Sequence, residues 1–292
     1  MNAAIANVFG YVLNFIYGIV QNYGVSVIIL SILLKLLMLP ITIKQLRSQK
    51  KSSKIQEKVK QLQIKYSSDP EKLNAETFAL YKREKYSPWS GCLTSILQLI
   101  IFISIFYLVS RPLTYMKKVD SEVINNYITQ IQEEGANVNY PEIKVIQRFG
   151  AEDERVNLNM NFLGLDLSDV PSQNYSNWKV FIIPILYVIT SIISTKITTS
   201  LNKANKNEKV NNIESKENIV ENNEDKELVV KKEDKEADAM EEMNKQMTIM
   251  MPIMSVSIAL IAPLGLALYW LISNLLMICE RLIINKFFKE GE

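Results

Sequence analysis

Histidine is missing from the chain, which excludes His-based catalytic triads, His-ligated metals and His proton relays. Cysteine is nearly missing too. Cys92 and Cys279 stand far apart, each in an apolar block, so they read as two buried small residues rather than as a disulfide framework or a metal knuckle. No positive charge precedes Lys35, so the basic start of a cleavable signal peptide is lacking, and there is no early cysteine for lipid attachment. Serines are plentiful, but with no His and no second Lys expected in the spans, the means to activate one is missing. The chain is therefore expected not to be an enzyme and to need no cofactor or metal. A net charge of +2 points to no particular partner.

What is present is segregated. Apolar residues make up 48% of the 292 and charged residues 22%, averages that suit a soluble domain. Yet long blocks with almost no charge alternate with blocks dense in Lys and Glu, the pattern of a polytopic membrane protein. The expected fold is all-α, with five transmembrane helices, an N-terminal interfacial amphipathic helix and a cytoplasmic antiparallel helical hairpin.

Along the chain, residues 1–23 place Ile5, Val8, Phe9, Val12, Leu13, Ile16 and Val20 at helical spacing. Asn7, Asn14, Gly10 and Gly18 favour a helix lying in the bilayer surface over one that crosses it. Residues 24–43 form the first firm span. Fourteen of its twenty residues are Val, Ile, Leu or Met, each worth about 0.3–0.6 kcal/mol of insertion, and they outweigh the single Lys35 at about 2.5–3.5 kcal/mol. Residues 44–87 carry twelve bases against five acids. Ile55, Val59, Leu62 and Tyr66 make one helical stripe, and Leu73, Thr77, Leu80 and Tyr81 make another. Between them, Ser67-Ser68-Asp69-Pro70-Glu71 reads as helix stop, N-cap, first-turn Pro and first-turn acid. Two antiparallel helices packed stripe to stripe follow.

Residues 90–111 are a second span and 112–177 a long polar, acidic extracytoplasmic loop. Residues 178–200 are a third span with hydroxyls at Thr190, Ser191, Ser194, Thr195, Thr198 and Thr199. These suit helix–helix contact, with a wet cavity as the other reading. Residues 201–246 read as a charged, largely disordered cytoplasmic loop. Residues 247–262 and 263–285 form a short and a longer span around Pro263, and 286–292 a tail. The basic 44–87 arm faces the cytoplasm by the positive-inside rule, which puts the N-terminus outside and the C-terminus inside.

Lys35 reads as the one ionisable residue within a span, with no acid there to pair it. An intramembrane charge is a functional-site hypothesis. Ser31 lies one turn before it, and Thr94, Ser95 and Gln98 on the second span and Trp270 and Asn274 on the last could converge with it on a water-filled groove. The lack of an intramembrane carboxylate argues against an ion-coupled transporter. The arm lacks interleaved aromatics and any recognition motif, so direct nucleic-acid binding is not expected.

The chain resembles the YidC membrane protein insertases in five places, in that family's order. Lys35-Leu-Leu-Met-Leu-Pro40 resembles its basic residue five before Pro, and Asp69-Pro-Glu-Lys-Leu its cytoplasmic hairpin turn. Ser87-Pro-Trp-Ser-Gly-Cys92 with Gln98 and Ile101-Phe102 resembles its second-span stretch, and Phe162-Leu-Gly-Leu-Asp166-Leu the motif before its third. Met250-Met-Pro-Ile-Met254 and Pro263-Leu-Gly-Leu-Ala-Leu-Tyr-Trp270, then Ser273-Asn274, resemble its closing hairpin. Departures are Lys35, where the family usually carries Arg, and Ile100, where it has Pro after the glutamine.

The resemblance implies a bacterial plasma-membrane insertase and chaperone with a substrate groove formed by Lys35, Ser31, Gln98, Phe102, Trp270 and Asn274. It implies nascent membrane-protein clients in a lipid bilayer, contact with a ribosome or a Sec-type channel, and work as a monomer. A small-solute transporter or channel, and a scaffold whose arm recruits a partner, are the alternatives.

Overall fold

A computed structural model describes residues 2–86, 89–135, 139–213 and 257–289. Within the helices, some side chains, among them those of 89–95, 98 and 201–213, lie outside the description. The chain divides into two compact units, Met1–Lys35 with Ser104–Glu292, and Leu36–Ile103.

The first unit opens with α1, Asn2–Val20. Ala6, Leu13 and Ile16 are buried, while Val8, Tyr11, Val12, Phe15 and Ile19 are exposed. The helix is thus apolar on both sides, and its buried line is narrower than the sequence stripe. Gly10 lets it approach the backbone of a π-helical turn at Leu113–Lys117. Gln21 takes a left-handed conformation, and Asn22 accepts from the Val25 amide to start α2, Tyr23–Lys65.

Residues 112–177 are a folded segment rather than the polar loop that charge counting suggests. After the π turn come α5, Ser121–Glu133, and α6, Pro141–Phe149. A two-stranded antiparallel hairpin follows, β1 (Asn161–Phe162) and β2 (Leu165–Asp166). Its turn places Leu163 and Gly164 at positive φ. The segment has its own core, including Ile124, Ile131, Ile143, Val145, Ile146, Val156 and Leu167. Those apolar positions were legible at helical spacing; the surrounding acids masked them. Buried Glu142 accepts from the Thr114 amide (2.9 Å) and hydroxyl (2.5 Å), tying α6 to the π turn. Asp153 takes hydrogen bonds from Arg155 and from Tyr127 on α5, which hold its carboxyl well below the usual carboxylate range.

This segment also holds the first turns of two long helices. The Tyr23 amide donates to Asn159 O (3.0 Å), and Gly24 meets the Phe162 ring. The Leu264 and Gly265 amides donate to Asp169 O (2.9 Å) and Leu167 O (2.8 Å). They belong to the first turn of α8, Leu264–Lys289, where intrahelical acceptors are lacking. Residues 257–261 are helical and lead into Pro263. The rest of the expected 247–262 span lies outside the described residues.

Helix α7, Ile182–Ile213, extends 13 residues past the expected end of the third span at 200 and into the stretch read as disordered. No Gly or Pro interrupts it after Pro184, and extending an existing helix avoids the cost of a new nucleus. The remainder of that stretch, from 214, lies outside the described residues.

In the second unit, α2 continues through Pro40 and the basic arm without a break, ending at Lys65. Helix α3, Pro70–Arg83, starts as expected: Asp69 accepts from the Lys72 amide (3.0 Å), Pro70 is at N1 and Glu71 is in the first turn. Ile55 and Leu80 are buried, and the other residues of the two stripes are only partly exposed. Lys58 pairs with Glu84 at 2.5 Å, and Lys51 donates to Lys85 O at 3.3 Å. Helix α4, Trp89–Ser110, closes this unit and re-enters the first.

Among the described residues, four helical stretches are long and apolar enough to cross a bilayer: Ala3–Val20, Tyr23–Ser48, Trp178–Ile197 and Leu264–Ile284. Leu99–Ser110 is a shorter apolar one. The protein is a mostly helical, multi-pass membrane protein.

Candidate functional site: an ion pair between two spans

One face of α2 carries Tyr23, Val27 and Ser31 at steps of four, all buried, with Lys35 next on the same line. The N-terminal ends of α2 and α8 are neighbours: a Cβ at Gly265 would stand 3.3 Å from the Tyr23 ring. Further along both helices, the Lys35 ammonium meets the Glu280 carboxylate of α8 at 2.6 Å. By helical rise the pair lies about 18–22 Å from those ends, a distance shorter than a hydrocarbon core of about 30 Å.

Glu280 corrects the sequence reading. Lys35 is not the only ionisable residue within a span, and an acid is there to pair it. Both Glu280 and Arg281 fall inside the expected 263–285 span, but their place near its C-terminal end let them pass as part of the polar flank. The signal was available: an acid at about the depth in the last span that Lys35 has in the first. Removing one partner of such a pair strands a charge and costs about 3–5 kcal/mol where the pair is buried. The two ends are unequal, with the Lys35 side chain 23% exposed and that of Glu280 5%. The second carboxylate oxygen of Glu280 is buried and has no hydrogen-bond partner among the described residues.

The other expected site residues sort differently. Ser31 is satisfied within its own helix, its hydroxyl donating to Val27 O at 2.7 Å, so it needs no wet groove. Asn274 is buried on α8 and donates to the Thr190 hydroxyl of α7 at 3.4 Å. Thr190 in turn donates to Tyr187 O. Trp270 is buried with its ring 6.0 Å from that of Tyr187. Part of the hydroxyl run thus serves contact between α7 and α8, the first of its two readings. Phe102 is partly exposed on α4 in the second unit. Gln98 is on α4 too, but its side chain lies outside the description, as do those of Thr94 and Ser95. Two recesses lie in the 112–177 segment and at its edges. One of them, about 380 Å³, is lined by residues such as Lys144, Asp166, Asp169 and Gln173.

A family described as 60Kd inner membrane protein matches residues 15–291. The chain is 25% identical over 291 residues to a membrane protein insertase YidC of Treponema denticola, which covers 99% of this chain and 38% of that protein. To the protein of that name from Caldanaerobacter subterraneus subsp. tengcongensis it is 43% identical over 104 residues, 36% of this chain and 50% of the relative. To the one from Rickettsia massiliae it is 43% identical over 96 residues, 33% of this chain and 17% of the relative. The chain thus spans half or less of the length of these curated relatives. The family match, by contrast, runs over nearly the whole chain, and on that extent the chain belongs to the 60Kd inner membrane protein family.

Proposed function

We propose that the protein is a membrane protein insertase and chaperone that passes the polar end of a client through a hydrophilic site within the bilayer. The observation that carries this reading is a partly exposed lysine, paired with a buried acid, between two apolar helices of a chain whose relatives bear the name insertase. Lys35 attracts an acidic residue in the client's short extracytoplasmic tail. A tail that travels part of the way beside charged groups crosses less hydrocarbon. Some twenty apolar client residues then enter lipid, which returns about 6–12 kcal/mol and drives the step without ATP.

In this reading the bacterial plasma membrane holds five crossings, with the N-terminus outside, α1 in the outer interface and the C-terminus inside. The capped turn at Asp69 and the Lys58–Glu84 pair support a cytoplasmic helical hairpin that receives the client or meets a ribosome. The protein works as a monomer, alone or beside a Sec-type channel. Roles for Gln98 and Phe102 rest on the family resemblance alone. Glu280 removes the argument that no carboxylate is available for a coupled transporter, so the relatives' names carry the choice between the two readings.

The test is insertion of a single-span client with an acidic tail into liposomes holding only this protein. Wild type and Lys35→Arg should insert it, and Lys35→Ala should not. Insertion no better than in empty liposomes would refute the insertase reading. Equal insertion by all three would refute the role of Lys35.

A further inference from the structure

Lys35 already has an anion. Any client carboxylate that uses it meets Glu280 first, and Glu280 is fixed in the same helix pair at 2.6 Å. The two partners are not equally accessible. Glu280 is almost fully enclosed, whereas nearly a quarter of the Lys35 side chain is open. A second carboxylate can therefore reach the ammonium from the open side without Glu280 leaving its pocket. An ammonium has three hydrogens to donate, and among the described residues Lys35 has no second ionic partner. Arg281 follows in sequence, about 100° round the helix, and also has partners of its own.

We propose that Glu280 is a built-in competitor for Lys35 that sets which clients the site accepts. The inference rests on the insertase reading. With Glu280 ionised, the pair is neutral as a whole, and a single client carboxylate gains little from Lys35 until it displaces or shares the contact. Clients with two or more acids in the tail outcompete Glu280; clients with none neither need nor disturb it. Specificity thus comes from a repulsive element beside the attractive one. A merely structural pair would hold α2 against α8 and would leave the preference among clients untouched.

The experiment uses the full chain in liposomes and one single-span client whose tail carries zero, one, two or three acidic residues. The readout is the ratio of insertion rates between one acid and none. Wild type should discriminate weakly at one acid and more strongly at two or three. Glu280→Gln keeps the shape and removes the charge. It should raise the one-acid ratio by about tenfold or more, since unit charges within about 4 Å interact by several RT even at a surface-like dielectric. Glu280→Asp, which keeps the charge but withdraws it by one methylene, should give an intermediate ratio. It also decides the question if Glu280→Gln does not fold. A one-acid ratio unchanged from wild type in the folded variants would overturn the proposal. Failure of wild type to insert any member of the series above empty liposomes would instead overturn the insertase reading on which it rests.

Discussion

Gly10 and Gly18 lie in the same helix and should respond to alanine in opposite directions. A Cβ at Gly10 would stand 2.6 Å from the carbonyl carbon of Tyr115 and closer still to its oxygen. Both sides of that contact are backbone, so no side chain can swing aside. Ordinary contact begins near 3.4 Å. Helix α1 would have to retreat by roughly 1.5 Å, loosening the buried Leu13 and Ile16 of the same helix. Overpacking costs about 1–3 kcal/mol, and two rigid backbones put this case at the upper end. Alanine returns about 0.8–1.0 kcal/mol of helix propensity, leaving a net loss of about 2 kcal/mol. Gly18 has nothing within 4 Å of its added Cβ, so Gly18→Ala should keep the propensity gain and stabilise. Equilibrium unfolding of the purified protein in mixed detergent would measure both variants, and they should differ by about 3 kcal/mol. Stability of Gly10→Ala equal to or above wild type would mean that α1 does not rest on the 113–117 turn.

Two further outcomes follow from residues outside the spans. Burial pushes the Glu142 carboxyl above its ordinary value of 4.5, against the opposing pull of its Thr114 hydrogen bonds. The folded protein therefore holds that proton more tightly than the unfolded chain, and stability should decline as pH rises from 4.5 toward the folded value. Glu142→Gln should flatten that decline in pH-dependent melting; an unchanged slope would assign it to other groups. Asp69→Ala removes the cap on the Lys72 amide and should cost about 1 kcal/mol, confined to the first turn of α3. Hydrogen exchange should quicken there and not in α5 or α6; a uniform change would count against a local cap.

Periodicity and punctuation made the helices legible. The Asp69-Pro70-Glu71 start of α3 could be read residue by residue, because caps act within one turn. The stripes on either side of it could be read for the same reason, and Ile55 and Leu80 are their buried members. Lys35 stood out because it is alone among fourteen strongly apolar neighbours. Its partner did not, since pairing across 245 residues of sequence leaves no local mark, and an acid beside a base near the end of a span looks like solvent-facing flank. The folded 112–177 segment was obscured in a similar way. Its acids are not all surface groups: Glu142 is buried because Thr114 supplies two donors, a pairing that composition cannot reveal. Ser31 shows the converse, a polar residue near the charge whose hydroxyl turns back to its own helix.

The two backbone hydrogen bonds at the start of α8 make its N-terminal end a pivot. Leu264 and Gly265 are anchored to Asp169 and Leu167, while Glu280 rides about 22 Å further along the same rod. At that lever length a tilt of about 5° that swings α8 away from α2 carries the carboxylate off by about 2 Å, enough to open a 2.6 Å contact beyond ionic reach. A helix fixed at its first turn and loaded near its far end thus converts a small angular change into the making or breaking of one charge pair, without unwinding a turn or moving the 112–177 segment at all.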